Sequence, residues 1–130
     1  MFIDANVFLA AFLDSQEQGI RSKALMAKVA RGEQNAITNV LVVNEVLYII
    51  KGKRGLEEMK SAYRMLISYS HLSIMPIDEK TVAQSMQYMD GGLEVSDAFH
   101  AATMKMAGVG TICSYDPHFD KAKGIKRREP

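Results

Sequence analysis

Four acidic residues, Asp4, Glu45, Asp97 and Asp116, stand at positions where carboxylates could do chemistry together. Glu45 lies in NVLVVNEVLYII, a run broken only by Asn44 and Glu45 itself after its opening Asn39. On a helix, Leu41, Val42 and Ile49 share its face at three- and four-residue spacing, and no Lys or Arg falls within one turn. A carboxylate among apolar side chains costs several kcal/mol or takes up a proton unless a cation compensates it. A metal ion is one such cation; a helix edge open to water, or a distant arginine, would serve as well. Asp97, in SDAFHAATM, has two readings: a metal ligand, or an acid in the first turn of a helix capped by Ser96 and favoured there by the helix dipole. Asp4 follows a short apolar run and could cap the next helix. Asp116 precedes Pro117, a common turn opening, and Asp120 is the alternative outer acid.

The conjunction of these acids is more telling than any one of them. They are far apart in the chain, and no basic residues are spaced to neutralise them. Carboxylates brought together repel, so without a cation one or more must hold a proton. All-oxygen ligands suit hard cations such as magnesium or manganese. Such an ion activates water, holds a phosphate oxygen and stabilises a leaving oxygen. Nucleophilic side-chain catalysis has less support, because His71, His100 and His118 have no suggestive Ser or Cys partner. His100 reads as a packing residue rather than a ligand.

The elements that must position these acids alternate along the chain. Met1–Asp4 reads as a strand, followed by helices over Asn6–Leu13 and Glu17–Ala30. Ala36–Thr38 is a strand candidate, and Val40–Lys51 a buried helix stopped by Gly52. Gly55–Ser70 is helical, Leu72–Ile77 strand-like, Glu79–Met89 and Ser96–Ala107 helical, and Thr111–Ser114 a last apolar strand before the Asp116-Pro117 turn. Short strands separated by helices, without strict polar alternation, predict a parallel sheet covered on both faces. Sites in such folds gather at the carboxyl ends of the strands, where Asp4 and Asp116 fall.

Length and composition set the frame. The chain has 130 residues, the size of one domain, so residues 1–130 are expected to share one core. Apolar residues make up 48% and charged residues 24%, and no apolar run is long enough to span a membrane. The opening, MFIDANVFLAAFLD, does not resemble a signal peptide. With a single cysteine, Cys113, a cytoplasmic setting is expected. Net charge is +1, so any polyanion would be met by local patches. One patch is the tail from Lys121 to Arg128, with Lys121, Lys123, Lys126, Arg127 and Arg128 and no acid within it. It reads either as a solvated end or as a set of phosphate contacts.

At these residues the sequence resembles a PIN domain along its whole length. FIDANVFLAAF is similar to the family's opening strand, with Asp4 as the first acid and Asn6 after it. ITNVLVVNEVLYII, with Glu45, VSDAFHAATMKMAG, with Asp97, and ICSYDPHFDKAKGIKR, with Ser114 and Asp116, resemble the second, third and fourth motifs in order. The resemblance implies a three-layer α/β/α fold around a central parallel sheet. It also implies a magnesium- or manganese-dependent ribonuclease that hydrolyses phosphodiesters with metal-activated water. Asp4, Glu45, Asp97 and Asp116 would be catalytic and metal-binding; Asn6 and Ser114 would be outer-shell or substrate-orienting, and Lys126 and Arg127 of the basic tail are the expected substrate contacts. Stand-alone prokaryotic members of this size resemble the VapC-type toxins of toxin–antitoxin pairs, which implies a homodimer and a small antitoxin partner. Two departures stand out: Ala5 replaces the threonine many members carry, and Pro117 directly follows the fourth acid.

Other acid-site α/β enzymes fit less well. A haloacid-dehalogenase-type phosphatase needs an aspartate two residues after the first, where this chain has Asn6, and a receiver domain needs an acidic pair that Asp4 lacks. A non-catalytic PIN-like module that binds RNA or protein is the remaining alternative.

Overall fold

The structure, a computed structural model, describes residues 1–130. The chain forms β1 (Phe2–Ile3), α1 (Ala5–Leu13), α2 (Glu17–Ala30), β2 (Ala36–Asn39), α3 (Val40–Arg54) and α4 (Leu56–Ser68). It continues with β3 (Leu72–Met75), α5 (Glu79–Asp90), α6 (Val95–Met106), β4 (Thr111–Cys113), a short 3-10 helix (Pro117–Lys121) and β5 (Lys126–Arg128). The five strands form one sheet in the order β3-β2-β1-β4-β5, and every pairing is parallel.

That order fixes the layers. From β1 the chain steps outward to β2 and β3, then returns to the other side of β1 to make β4 and β5. Parallel crossovers are right-handed, so steps in opposite directions put their helices on opposite faces. Helices α1–α4 thus cover one face, and α5, α6 and the 3-10 helix cover the other. This is the expected three-layer α/β/α arrangement. β1 lies at its centre; Phe2 and Ile3 are fully buried, with Val7, Phe8, Val42, Val46, Ile112 and Phe119 in the same core. Central strands covered on both faces show no alternation, which is why β1 and β4 read as plain apolar runs.

Three boundaries differ from the sequence reading for physical reasons. Gly52 does not stop α3, which runs on to Arg54. An exposed glycine inside a helix costs only about 1 kcal/mol, and the chain turns instead at Gly55, whose φ of 90° is open chiefly to glycine. Ser96 is not the cap of α6; the helix begins at Val95 with Glu94 before it, which places Asp97 third in the helix. The basic tail contains β5, paired with β4 through Thr111↔Lys126, Ile112↔Arg127 and Cys113↔Arg128. Its charge hid it from a pattern search, yet charge is what an edge strand uses to discourage further pairing.

The α1–α2 corner depends on close backbone approach. Asp14 accepts hydrogen bonds from Gln16 N (2.7 Å) and Gly19 N (3.2 Å), and a Cβ at Gly19 would lie 2.0 Å from the Asp14 carbonyl oxygen. Gly19→Ala is therefore expected to destabilise the fold by about 1–3 kcal/mol, the usual range for overpacking. A urea unfolding midpoint equal to wild type would contradict this.

Candidate active site

Asp4 is the first residue beyond β1, and Ser114 the first beyond β4. The parallel register pairs Ile3 with Cys113, so these two following residues emerge side by side. β1 and β4 are also the strands at which the connections diverge to opposite sides of the sheet, and ligands of open α/β sheets bind at that crevice. Asp4 is only 7% exposed. Its Oδ1 accepts from Ala5 N at 2.7 Å, capping α1. Its Oδ2 accepts from Asn6 Nδ2 at 2.8 Å and from Ser114 Oγ at 2.7 Å. Asn6 Nδ2 also reaches Ser114 Oγ (2.9 Å), Asn6 Oδ1 accepts from Tyr115 N (3.1 Å), and Ser114 Oγ accepts from Asp116 N (2.9 Å). Asn6 and Ser114 are thus committed to Asp4 and to the backbone leading to Asp116. Ser114 is fully buried, and through these hydrogen bonds both side chains orient Asp4.

Glu45, Asp97 and Asp116 lie within the electrostatic reach of Asp4. Burial, and secondarily the charge of Asp116, pushes the Asp4 carboxyl above its ordinary range, against the hydrogen bonds that favour its ionised form. Partial burial and then Asp4 and Asp97 raise Glu45. Asp97 is pushed up to about 6, chiefly by burial, then by Asp4 and Asp116. Spacing suggested that Glu45 sits among apolar side chains. It does not: the buried stripe of α3 is Val42, Val46 and Ile50, and Glu45 lies on an exposed flank beside it. Neighbouring acids, as well as apolar cover, set its environment.

Asp116 caps the 3-10 helix, accepting from His118 N at 2.9 Å, with His118 Nδ1 3.2 Å from the same Oδ1. Pro117 does not carry it out of the cluster, since its charge still acts on Asp4 and Asp97. Asp120 is held elsewhere, in a two-pronged pair with Arg127 at 2.8 and 3.1 Å. The same guanidinium reaches Ser114 O (3.1 Å) and Glu129 (3.4 Å). Arg127 is consequently a structural tie rather than a free phosphate contact. Lys126 opens β5, and in a parallel sheet the first residue of a strand lies on the edge opposite the acids. Of the two expected substrate contacts, Arg127 is already paired with Asp120, and Lys126 lies at the sheet edge opposite the acids.

A residue that the motifs passed over ties the site together. Asn39, fully buried at the end of β2, caps α3 by accepting from Val42 N at 3.1 Å. Its amide nitrogen contacts His100 Nδ1 (3.1 Å) and Thr103 Oγ1 (3.0 Å) on α6. One side chain therefore joins the helix that carries Glu45 to the helix that carries Asp97, across the sheet edge. His100 is buried beside the Phe2 ring, centroids 5.4 Å apart, and burial lowers it to about 4. It is neutral at pH 7, so its Nδ1 accepts from Asn39. The sequence signal was a polar residue directly before an apolar helix, the pattern of an N-cap.

Cys113 is fully buried, and burial pushes its thiol up to about 11, which removes it as a nucleophile. The donor set facing Asp4 is made of carboxylate oxygens, the chemistry that magnesium and manganese prefer. No three His, Cys, Asp or Glu side chains converge tightly enough to enclose an ion. That arrangement still fits magnesium, which keeps several waters and is held by one or two carboxylates together with substrate phosphates.

Comparison with known proteins agrees with this geometry. A PIN domain family model matches residues 1–125, and the chain belongs to that family. No curated protein matches. Among solved structures the chain resembles VapC20 of Mycobacterium tuberculosis, described as a toxin cleaving the sarcin-ricin loop, with a TM-score of 0.80 and 16% identity over 99% of this chain and 98% of that one. It also resembles FitAcB from Neisseria gonorrhoeae, with a TM-score of 0.77 and 17% identity over 99% and 96% of the two chains. A third is VapBC2 from Rickettsia felis, solved with a fragment of its promoter DNA, at a TM-score of 0.74 and 14% identity over 98% and 96%. At these identities the likeness is one of fold.

Two outcomes test the site. Asn39→Ala removes a cap and leaves buried His100 Nδ1 without a partner, so a loss of about 2–3 kcal/mol in unfolding free energy is expected; a loss below 1 kcal/mol would contradict the cross-tie. The second concerns pH in the presence of chelator. The folded-state pKa of Asp97, about 6, lies above its ordinary 3.8. The folded protein therefore binds the proton more tightly than the unfolded chain, and this group opposes folding increasingly as pH rises from 3.8 to about 6, and fully above that. His100 acts in the other direction, favouring the fold less as pH falls below 6.5. Comparing wild type with Asp97→Asn cancels His100. The melting temperature of wild type relative to the variant should rise as pH drops from 7.5 to 5; a pH-independent difference would show that Asp97 is not strained by its neighbours.

Proposed function

We propose that this chain is a divalent-metal-dependent ribonuclease, with residues 1–130 acting as one catalytic unit. The observation that carries the reading is Asp4, buried and locked by three donors at the switch point of the sheet, with Glu45, Asp97 and Asp116 held in its field despite mutual repulsion. Carboxylates gathered in this way must either hold a proton or be offset by a cation, and a metal ion is the cation that this reading supplies. Asp4, Glu45, Asp97 and Asp116 are the residues that would hold magnesium or manganese. A bound ion would supply Lewis acidity toward a phosphate oxygen and lower the pKa of water.

The chain's own groups supply the positioning. Ser114 and Asn6 fix the carboxylate plane of Asp4 with hydrogen bonds from outside the site, in the manner of partners that orient metal ligands. Ser114 also links Asp4 to the backbone of Asp116, so that these two acids move as one unit. Asn39 sets the spacing of Glu45 and Asp97. The solved relatives described as toxins or toxin–antitoxin complexes favour a toxin role for this chain with a small antitoxin protein as partner; a homodimer acting in the cytoplasm is part of the same proposal.

Cleavage of a mixed, end-labelled RNA pool, with manganese, with magnesium and with chelator, tests this. Wild type should cut only with metal. Asp4→Asn and the half-exposed Asp97→Asn should each lose at least two orders of magnitude while keeping the wild-type circular dichroism spectrum. Cutting that persists in chelator, or in Asp97→Asn at the wild-type rate, would remove the metal-nuclease reading. No cutting together with no manganese-dependent rise in melting temperature would favour the non-catalytic module, since a cation at about 100 times its Kd should stabilise the fold by about 2.7 kcal/mol.

A further inference from the structure

On the face covered by α5 and α6, these helices and the chain after the 3-10 helix line an open concave pocket of about 450 Å³. Lys105 enters it from α6, Lys121 and Lys123 from the segment that leads to β5, and Gln87 and Tyr88 wall it from α5. Lys105, Lys121 and Lys123 take part in no ion pair, whereas Arg21, Arg31, Lys60 and Arg127 each have an acidic partner. Asp90 and Glu94 flank the nearby turn, but neither pairs with these lysines. Three unopposed cations around one concavity concentrate positive potential there. Lysine binds phosphate as a point charge without demanding one geometry.

The pocket is built on the same two segments as the site. Asp97 and Lys105 are eight residues apart on α6, about 12 Å along a helix at 1.5 Å per residue. The 3-10 helix starts directly after Asp116 and ends at Lys121. Charge makes the pairing useful. The acid cluster repels a polyanion, so a nucleic acid that enters it must be held by cations elsewhere along its path. Of the basic tail, Arg127 is committed to Asp120, while Lys121 and Lys123 line the pocket with Lys105.

We propose that this lysine-lined pocket is a phosphodiester subsite that grips the RNA backbone about three to four nucleotides from the acid cluster, at a stacked spacing of about 3.4 Å per nucleotide. The proposal rests on the ribonuclease reading for its substrate, and its test does not depend on cleavage. Binding of a dye-labelled single-stranded RNA is followed by fluorescence anisotropy in chelator, from about 50 to about 200 mM salt. Wild type is compared with the triple variant K105Q/K121Q/K123Q and with K28Q/K53Q/K80Q, which neutralises three exposed lysines outside the pocket. Three lost phosphate contacts should flatten the log–log salt slope by about 2, at about 0.7 per contact on a single strand. The second triple should keep the wild-type slope.

Equal flattening by both triples, or an unchanged slope in the pocket triple, would overturn the subsite. Displacement of the RNA by inorganic phosphate at the same ionic strength would also overturn it, assigning the pocket to a free anion. Binding that follows the expected pattern in a protein that never cuts the RNA pool would uphold the subsite and refute the nuclease reading. Metal-dependent cutting whose KM is unchanged in the pocket triple would do the reverse.

Discussion

The pairing of β1 with β4 is the constraint on which the site depends. It is only two residues long, Phe2↔Ile112 and Ile3↔Cys113, yet it decides which residues emerge side by side at the carboxyl edge of the sheet. Asp4 and Ser114 lie 110 positions apart in sequence and 2.7 Å apart in space because of that register. Asn6, the second residue of α1, closes the triangle. A slip of one residue would turn Asp4 toward the opposite face of the sheet. Complete burial of Phe2, Ile3, Ile112 and Cys113 makes such a slip expensive, so the hydrophobic core also sets the geometry of a polar site.

The second constraint is Asn39. A buried amide must satisfy its hydrogen-bonding groups, and here it does so with α3 on one side and α6 on the other. Helices on opposite faces of a sheet have few ways to sense each other; a polar group at the strand edge between them provides one. Its neutrality matters as well. A charged group in that place would add to the field on Asp4, Glu45 and Asp97, while the Asn39–His100–Thr103 set is uncharged at pH 7 and leaves the acids' mutual repulsion for a cation to relieve.

Charge on the surface is divided in a corresponding way. Carboxylates collect at the switch point, and unopposed lysines collect around the pocket between α5, α6 and the 3-10 helix. The Arg127–Asp120 pair is tied to the backbone of Ser114, so one ion pair both anchors the edge strand and engages the Asp120 carboxylate. A net charge of +1 conceals this separation.

Sequence by itself determined the alternation of strands and helices, the parallel sheet and the identity of the acids, because each of these is written in local patterns: apolar runs, caps, and carboxylates at strand ends. Asp4 followed by a helix and Glu45 interrupting an apolar stretch are visible without coordinates. Only the tertiary structure separated Asp116 from Asp120, which are equivalent in a turn until Arg127 pairs with Asp120 and the charge of Asp116 is left to act on Asp4 and Asp97. It decided that Ser114 and Asn6 serve Asp4 directly, that Glu45 stands on a flank of its helix, and that β5 exists, a strand too polar to announce itself. Asn39 as a bridge, and Lys105 beside Lys121 and Lys123, are likewise products of folding. Hydrogen bonds and fields act through space over a few ångströms, and only the packing of the sheet brings those partners within reach.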